Sequence, residues 1–153
     1  MFGRNAYLKP GQKAPEFTLK DQAGREVSLS AFAGKHVVVY FYPKDYTPIC
    51  TAEACSFRDQ YEDFLAAGAE VIGISTDDER SHASFAEKHR LPFTLLSDPG
   101  GTARSAYGVP GGIFPGRVTF VIDREGTIVH AFSSALSADK HVAEALQVIR
   151  KLA

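Results

Sequence analysis

The sequence contains no tryptophan, one methionine and only two cysteines, so it lacks the disulfide framework of small secreted proteins. We therefore expect a cytoplasmic setting, in which the two thiols stay reduced and are either reactive or incidental. No apolar run approaches the roughly 20 residues that span a bilayer, because the longest one, HVVVYFY, has the length of a strand. The segment MFGRNAYLKPGQ shows no signal-peptide pattern. We expect no membrane association.

An excess of charge of one sign is also missing. The 17 basic and 18 acidic residues leave a formal net charge of −1, and the basic ones form no block or stripe. Proteins bind nucleic acids by neutralising phosphates with clustered positive charge, so no nucleic-acid partner is expected. The glycine fingerprints of nucleotide sites and the Gly-x-Ser-x-Gly elbow are absent. The five histidines lack metal-ligand spacing and are expected at the surface or core edge, so we predict no metal and no cofactor.

Hydrophobic patterning predicts one α/β domain over residues 1–153, with a mixed sheet between helices. Short runs of β-branched and aromatic residues predict buried strands, and segments with helical spacing lie between them. The predicted strands are a hairpin within 16–30, single strands at 37–42, 70–76 and 92–98, and a second hairpin within 117–133. The predicted helices cover 47–68, 77–89, 101–108 and 138–152, and residues 109–116 are predicted to form a loop.

Both cysteines lie in one segment, YFYPKDYTPICTAEAC, where a strand ends and a helix begins. Thr47 suits the N-cap position and Pro48 the first helical position, which places Cys50 in the first turn. Free amide groups and the positive end of the helix dipole lie there, and such a setting favours a thiolate. The alternative is a structural role, because free cysteines are often small buried hydrophobes.

Cys55 follows Cys50 by five residues. In one regular helix the two residues are separated by about 7.5 Å of rise and roughly 140° of rotation. Disulfides rarely tolerate Cα separations beyond about 7 Å. The two thiols are therefore expected not to bond while the helix is intact, and a bond between them requires the first turn and a half to unwind.

The segment PKDYTPIC has the Pro-x-x-x-Thr-x-x-Cys arrangement of the peroxiredoxins, formed here by Pro43, Thr47 and Cys50. The run TPICTAEACSFRD closely resembles the bacterioferritin-comigratory-protein or peroxiredoxin Q branch, whose resolving cysteine often lies five residues downstream. Three further segments resemble the same branch in the same order, namely LKPGQKAPEFTLKDQAGREVSLSAFAGKHVVVYFYPKD, SHASFAEKHRLPFTLLSDP and RVTFVIDREGTI. The resemblance covers nearly the whole chain.

The resemblance implies a thioredoxin-like fold, with a mixed central sheet flanked by helices and an N-terminal β-hairpin. It implies a thiol-dependent peroxidase that reduces hydrogen peroxide and organic hydroperoxides in antioxidant defence. Thioredoxin or a similar dithiol would be the reductant, and no cofactor would be needed. A monomer or a weak homodimer is expected.

The resemblance also implies a role for each matched residue. Cys50 would be the peroxidatic cysteine that becomes sulfenic acid, and Cys55 would resolve it into an intramolecular disulfide. Thr47 would hold the thiolate and the peroxide, and Pro43 would shield the sulfur from water. Arg117 would stabilise the thiolate and the charged transition state, because an arginine keeps its charge and its fork meets two atoms at once. The alternative for this arginine is a surface salt bridge.

Glu53 lies one helical turn after Cys50, and its charge would oppose a thiolate unless it is paired. We hypothesise that Glu53 pairs with Arg117 and orients it. The alternative is an exposed carboxylate on the helix surface.

The chain departs from the family pattern at three places. Tyr46 occupies a site that is usually small or acidic, and Ile49 one that is usually glycine. Both flank the thiol, so a more apolar mouth that favours organic hydroperoxides is expected. The loop at 109–116 is shorter and richer in glycine and proline than is usual, which leaves the family's dimer contacts open.

Two alternatives to the two-cysteine peroxidase remain. In a one-cysteine peroxidase, Cys55 would be only structural. In a non-catalytic thioredoxin-like binding or chaperone module, Cys50 would behave as an ordinary thiol. The Thr47–Pro48 cap and Arg117 argue against the second alternative.

Overall fold

The structure, a computed structural model, describes residues 7–110, 116–134 and 137–152. Within these residues one seven-stranded sheet has the strand order β2-β1-β5-β4-β3-β6-β7. The strands are β1 Thr18–Asp21, β2 Glu26–Ser28, β3 His36–Phe41, β4 Ala69–Ser75, β5 Thr94–Ser97, β6 Val118–Ile122 and β7 Ile128–Ser133. The helices are α1 Pro48–Asp59, α2 Tyr61–Ala66, α3 Glu79–His89, α4 Thr102–Ala106 and α5 Ala138–Leu152, and a 3-10 turn covers Leu29–Phe32.

The central strand β3 consists of apolar and aromatic residues that are buried on both faces of the sheet. It pairs in parallel with β4 and antiparallel with β6, and β4 pairs in parallel with β5. Continuous apolar strands of this kind are typical of sheets covered on both sides. The predicted mixed sheet between helices is therefore confirmed.

The N-terminal hairpin extends the sheet beyond β5, because β1 pairs antiparallel with both β2 and β5. Its turn is fixed by Asp21, whose Oδ1 accepts hydrogen bonds from the amides of Ala23 and Arg25. Gly24 has a φ of +81°, a backbone conformation that glycine adopts without strain. The hairpin predicted from the sequence is thus confirmed, with its turn at the expected residues.

Two apolar cores lie on opposite faces of the sheet. One is formed with α1, α2, α3 and α5 and contains Tyr40, Cys50, Phe57 and Phe64. The other contains alternate residues of β3 and β6, such as Val39 and Phe120, with Tyr107. Alternation along β3 sends successive side chains into different cores. Helix α1 therefore turns Cys50 and Phe57 into one of these cores, although its first residue, Pro48, is exposed.

The single helix predicted over 47–68 is wrong, because the structure breaks it at Gln60 into α1 and α2. Tertiary contacts override the continuous helical pattern here. Phe57 and Phe64 pack in the same core with ring centroids 5.7 Å apart, and the Tyr61 hydroxyl donates to Glu70 of β4. The sequence gives helical spacing on both sides of Gln60 but no signal for the change of direction.

Two further expectations have mixed outcomes. The predicted loop at 109–116 lies largely outside the described residues, which stop at Pro110 and resume at Gly116. The histidines predicted at the surface or core edge include three that are buried, His36, His82 and His141, so that expectation is wrong for them. His82 and His141 are accommodated because both ring nitrogens of each have polar partners.

Among the described residues no helix has the length and apolarity of a membrane span.

Candidate active site

The fold places Cys50 where β3 gives way to α1. The strand ends at Phe41, a short loop follows, and α1 begins at Pro48 with Thr47 as its N-cap residue. Cys50 is 1% exposed and belongs to the apolar core beneath α1. Its position in the first helical turn agrees with the sequence prediction, and its burial excludes bulk water from the sulfur.

The Thr47 side chain does not cap the helix. Its hydroxyl donates to the Lys44 carbonyl at 2.9 Å, and it makes no hydrogen bond to a first-turn amide. The first-turn amides of a helix have no intrahelical acceptor, so they keep their positive partial charge near Cys50. The N-cap position is confirmed, whereas the contact of Thr47 with the thiol stays a prediction.

Arg117 contacts the sulfur directly. Its Nη2 lies 3.2 Å from Cys50 Sγ, and the side chain is almost fully buried. The sheet register explains the encounter, because Phe41 at the end of β3 pairs with Val118 at the start of β6. The residue before β6 therefore lies beside the loop that leads to Cys50. The alternative of a surface salt bridge for Arg117 is wrong.

Glu53 completes a buried ion pair with the same arginine. Its Oε1 accepts from Arg117 Nη1 at 2.7 Å, and the carboxylate is fully buried, so the alternative of an exposed carboxylate is wrong. The hypothesised pairing of Glu53 with Arg117 is present. One guanidinium thus bridges Glu53 and Cys50, and the fork is held in place by the carboxylate.

Burial and the neighbouring charge shift the pKa values of Glu53 and Arg117 in opposite directions. Burial raises the pKa of Glu53 to about 7, although the neighbouring Arg117 favours the charged form. Burial would lower the pKa of Arg117, but Glu53 and Cys50 raise it above its ordinary value. Arg117 therefore stays charged, and Glu53 exchanges a proton near neutral pH.

His141 of α5 is a neighbour that sequence reasoning missed. Its Nε2 donates to the Ser134 carbonyl and its Nδ1 accepts from the Thr119 hydroxyl, at 2.8 and 2.7 Å. Burial lowers the pKa of His141 to about 4, so the ring is neutral at neutral pH. Nδ1 lies 3.5 Å from Glu53 Oε2, a buried oxygen without a hydrogen-bond partner among the described residues. Because Nδ1 already accepts from Thr119, His141 offers this oxygen no hydrogen bond, and within the described part of the chain the charged carboxylate is stabilised only through Arg117.

The pKa of Glu53 predicts a pH-dependent difference in stability between the wild type and the Glu53→Gln variant. The folded protein holds this proton up to about pH 7, whereas the unfolded chain releases it near pH 4.5. Stability from this group is therefore present below about pH 4.5 and is lost as the pH rises through 7. We expect the free energy of unfolding of the wild type, relative to the variant, to fall by about 3 kcal/mol over that window.

Urea unfolding at closely spaced pH values checks this difference. His141 and the other titrating groups are common to both proteins, so their contributions cancel to first order. The exposed carboxylate Glu62 offers a matched control, and Glu62→Gln should follow the wild type. Parallel stability curves for the wild type and Glu53→Gln would contradict the burial argument.

Arg104 of α4 is a second buried cation that sequence reasoning missed. Its Nη2 donates to the Tyr42 carbonyl at 2.7 Å, and its Nη1 donates to the carbonyls of Pro110 and Gly116 at 2.8 and 3.0 Å. Burial lowers the pKa of Arg104, while Asp98 and Cys50 favour its charged form. This arginine ties the start of the loop before Cys50 to Pro110 and Gly116.

A buried polar cluster holds the middle of the same loop. Asp45 accepts from the Tyr42 hydroxyl at 2.6 Å and lies 2.8 Å from Nδ1 of His82, while its amide donates to Asp77 at 2.7 Å. Ligand atoms of Asp45, Asp77 and His82 lie within 4.8 Å of one another, as in a metal site. Each is already engaged in protein hydrogen bonds, because Asp77 also accepts from Ser75 and His82 Nε2 faces the Leu96 carbonyl. The cluster therefore anchors the loop to α3 and β5.

The two predicted flanking residues differ in exposure. Tyr46 is exposed and has a φ of +69°, a strained conformation for a residue with a side chain. Its ring packs edge-on against Phe85 of α3, with centroids 5.1 Å apart, and its hydroxyl bonds to Ser84. Ile49 and Pro43 are half-buried. Tyr46 therefore packs toward α3, and the apolar mouth stays a prediction.

Cys55 lies on α1 together with Cys50, and both cysteines are free. This arrangement agrees with the expectation that they do not bond while the helix is intact. Cys55 is half-buried, and its Sγ lies 3.8 Å from Nδ1 of His89 at the end of α3. The second thiol thus has its own polar neighbour, which sequence reasoning did not single out.

Comparisons with known proteins agree with this geometry. Residues 10–131 match the AhpC/TSA family. The chloroplastic peroxiredoxin Q of Triticum aestivum is 54% identical over 148 residues, which are 95% of this chain and 68% of that protein. The corresponding protein of Populus jackii is 53% identical over 96% of this chain and 70% of its own length.

Solved structures give the same result. Peroxidoxin BcpB from Mycobacterium tuberculosis superposes with a TM-score of 0.91 and 39% identity, over 96% of this chain and 99% of that one. A Xanthomonas campestris peroxiredoxin Q superposes with a TM-score of 0.83 and 31% identity, over 88% and 90% of the two chains. The predicted thioredoxin-like fold is confirmed. The chain therefore belongs to the AhpC/TSA family, on its peroxiredoxin Q branch, and is a thiol-dependent peroxidase.

Proposed function

We propose that Cys50 is the peroxidatic cysteine and that the enzyme reduces hydrogen peroxide and organic hydroperoxides. The observation that carries this proposal is the 3.2 Å contact between Arg117 Nη2 and Cys50 Sγ in a buried site. A thiolate is the nucleophilic form of cysteine, and an adjacent cation stabilises it. The free first-turn amides of α1 add positive potential on the same side.

In the first step the Cys50 thiolate attacks one peroxide oxygen. The O–O bond breaks, its electrons leave on the second oxygen, and that oxygen takes a proton to give water or an alcohol. Cys50 becomes sulfenic acid. Negative charge moves onto the oxygens as the bond breaks, and Arg117 and the α1 amides supply donors in a site with little water.

Thr47 and Pro43 are proposed to shape this pocket. Both lie in the loop between β3 and α1, with Pro43 half-buried just after the strand. A change of rotamer would be needed for the Thr47 hydroxyl to leave the Lys44 carbonyl and meet the thiolate and peroxide. Half-buried Ile49 supports an apolar mouth that favours organic hydroperoxides.

Resolution is proposed to use Cys55. Its sulfur attacks Cys50 sulfenic acid, the S–O bond breaks, and a disulfide and water form. Both residues lie within α1, so the first turns must unwind before the sulfurs meet. A dithiol such as thioredoxin then returns two electrons by thiol–disulfide exchange. This cycle uses no cofactor.

The proposed cycle also suggests a cellular compartment and binding partners. Two free cysteines and a need for continuous reduction support the cytoplasm or another reducing compartment. The plant relatives are chloroplastic by name. A peroxide and a dithiol reductant are the proposed partners, with neither nucleic acid nor membrane involved, and the proposed form is a monomer or weak homodimer.

Mass spectrometry after one equivalent of peroxide tests the proposal. We expect a mass loss of two hydrogens, a Cys50–Cys55 bond in the peptide map, and reduced helical ellipticity in the far-UV circular dichroism spectrum. The change in ellipticity follows from the unwinding of α1. Unmodified cysteines after this treatment would contradict the proposal and favour the non-catalytic module.

A further inference from the structure

The Cys55 sulfur lies beside the imidazole of His89, a group that has no role in the proposed peroxidase cycle. We propose that His89 is the general base that activates Cys55 for disulfide formation, an inference that rests on the proposed resolving role of Cys55. The sulfur and Nδ1 lie 3.8 Å apart, within the range of a hydrogen bond to sulfur. Both side chains are half-buried, so solvent can exchange protons with the ring.

The contact takes one of two forms, S–H···N or S⁻···H–N. Movement of one proton between the two atoms interconverts them, and this is the transfer that the resolving step needs. A resting thiol is a poor nucleophile, since an ordinary cysteine is mostly protonated at neutral pH. A base within hydrogen-bond reach is the usual way to activate such a group.

The chemical step balances with the groups present. His89 accepts the proton of Cys55, and the Cys55 thiolate attacks the Cys50 sulfur. The S–O bond breaks as the S–S bond forms, and the departing hydroxide takes the proton back from the imidazolium to leave as water. In this step Cys55 is oxidised by the sulfenic acid that the peroxide left on Cys50, so no further oxidant is needed, and His89 returns to its starting state.

Contacts on the C-terminal side of Cys55 hold this part of α1 in place. Arg58, on α1, donates from Nη1 to the His89 carbonyl at 2.8 Å. Phe57 anchors the same part of α1, because it is fully buried and stacks on Tyr40 with centroids 4.5 Å apart. Cys55 and His89 are therefore expected to stay together while other parts of α1 move.

The opposite end of α1 has fewer buried side chains, since Pro48 is exposed and Ile49 is half-buried. It begins with Pro48, and the Thr47 hydroxyl makes no cap hydrogen bond. Oxidation of Cys50 to a neutral sulfenic acid also weakens its attraction to Arg117. The first turn is thus the part that unwinds, and it brings the Cys50 sulfur toward a Cys55 already paired with its base.

The test separates the two chemical steps. Wild type, His89→Phe and His89→Gln are each mixed with one equivalent of hydrogen peroxide. Timed samples are quenched with dimedone and N-ethylmaleimide, and mass spectrometry counts sulfenic acid and disulfide. Phenylalanine keeps the ring contact with Phe85, and glutamine keeps a polar group without a base. Thermal unfolding verifies that each variant is folded.

We expect both variants to form sulfenic acid at the wild-type rate and to form the disulfide at least about tenfold more slowly. His130→Gln is the matched control, because His130 pairs with Glu144 on β7 and α5 and should behave as wild type. Equal disulfide rates in wild type and either variant would overturn the role of His89. Absence of a Cys50–Cys55 disulfide in the wild type would instead refute the proposed function, so the two failures are distinguishable.

Discussion

Replacing Arg117 with glutamine is expected to slow the reaction of Cys50 with hydroperoxide by about 10²- to 10³-fold. The guanidinium is a charged group in contact with the sulfur, at 3.2 Å, so it is expected to lie near the oxygens on which charge develops as the O–O bond breaks. The expected loss corresponds to about 3–4 kcal/mol of transition-state stabilisation. Stopped-flow measurement of the second-order rate constant with hydrogen peroxide checks it.

Two further variants separate charge from folding. Arg117→Lys keeps the charge but loses the fork that joins Cys50 to Glu53, so an intermediate loss is expected. Arg25→Gln removes an arginine that is 80% exposed and distant in the fold, and it should leave the rate unchanged. The Arg117→Gln change leaves Glu53 buried without its partner. The double variant Arg117→Gln/Glu53→Gln, which removes that carboxylate as well, is therefore also measured. A wild-type rate in the folded double variant would contradict the role of Arg117.

Replacing Cys55 with serine is expected to leave the first turnover intact and to abolish sustained turnover with thioredoxin, by at least about 100-fold. Cys50 would still be oxidised, but its sulfenic acid would have no thiol within the same helix to form a disulfide. The measurement is peroxide consumed per protein, which should stop near one equivalent. Excess peroxide should then drive Cys50 to sulfinic acid.

Ser56→Ala is the matched control for Cys55→Ser, because Ser56 is the adjacent half-buried residue on α1. It should support full turnover. Undiminished thioredoxin-dependent turnover in Cys55→Ser would contradict the resolving role. That result would favour the one-cysteine alternative, in which Cys55 is structural.

Local signals were enough to predict the element that carries the thiol. Thr47 and Pro48 mark the start of a helix by chemistry that acts within a few residues, so Cys50 could be placed in the first turn. The buried strand before it was equally clear from its apolar run. The family resemblance added Arg117, which spacing alone could not connect to a cysteine 67 residues away.

Contacts that depend on tertiary packing could not be predicted. His141 reaches Glu53 from the last helix, and Arg104 reaches Tyr42 across 62 residues, so no periodicity links them. The break at Gln60 is another example, because both halves of the segment have good helical spacing. Buried His82 was misjudged for the same reason, since its partners lie on other elements.

Ultraviolet absorbance of the thiolate at 240 nm tests the central claim most directly, namely that the buried guanidinium of Arg117 stabilises negative charge on the Cys50 sulfur. The Cys55→Ser protein is compared at pH 7 with the Cys50→Ser/Cys55→Ser protein, so that the difference reports Cys50 alone. We predict a clear thiolate signal that falls strongly when Arg117→Gln is added to Cys55→Ser. An equal signal with and without Arg117, or no thiolate signal at all, would contradict the account.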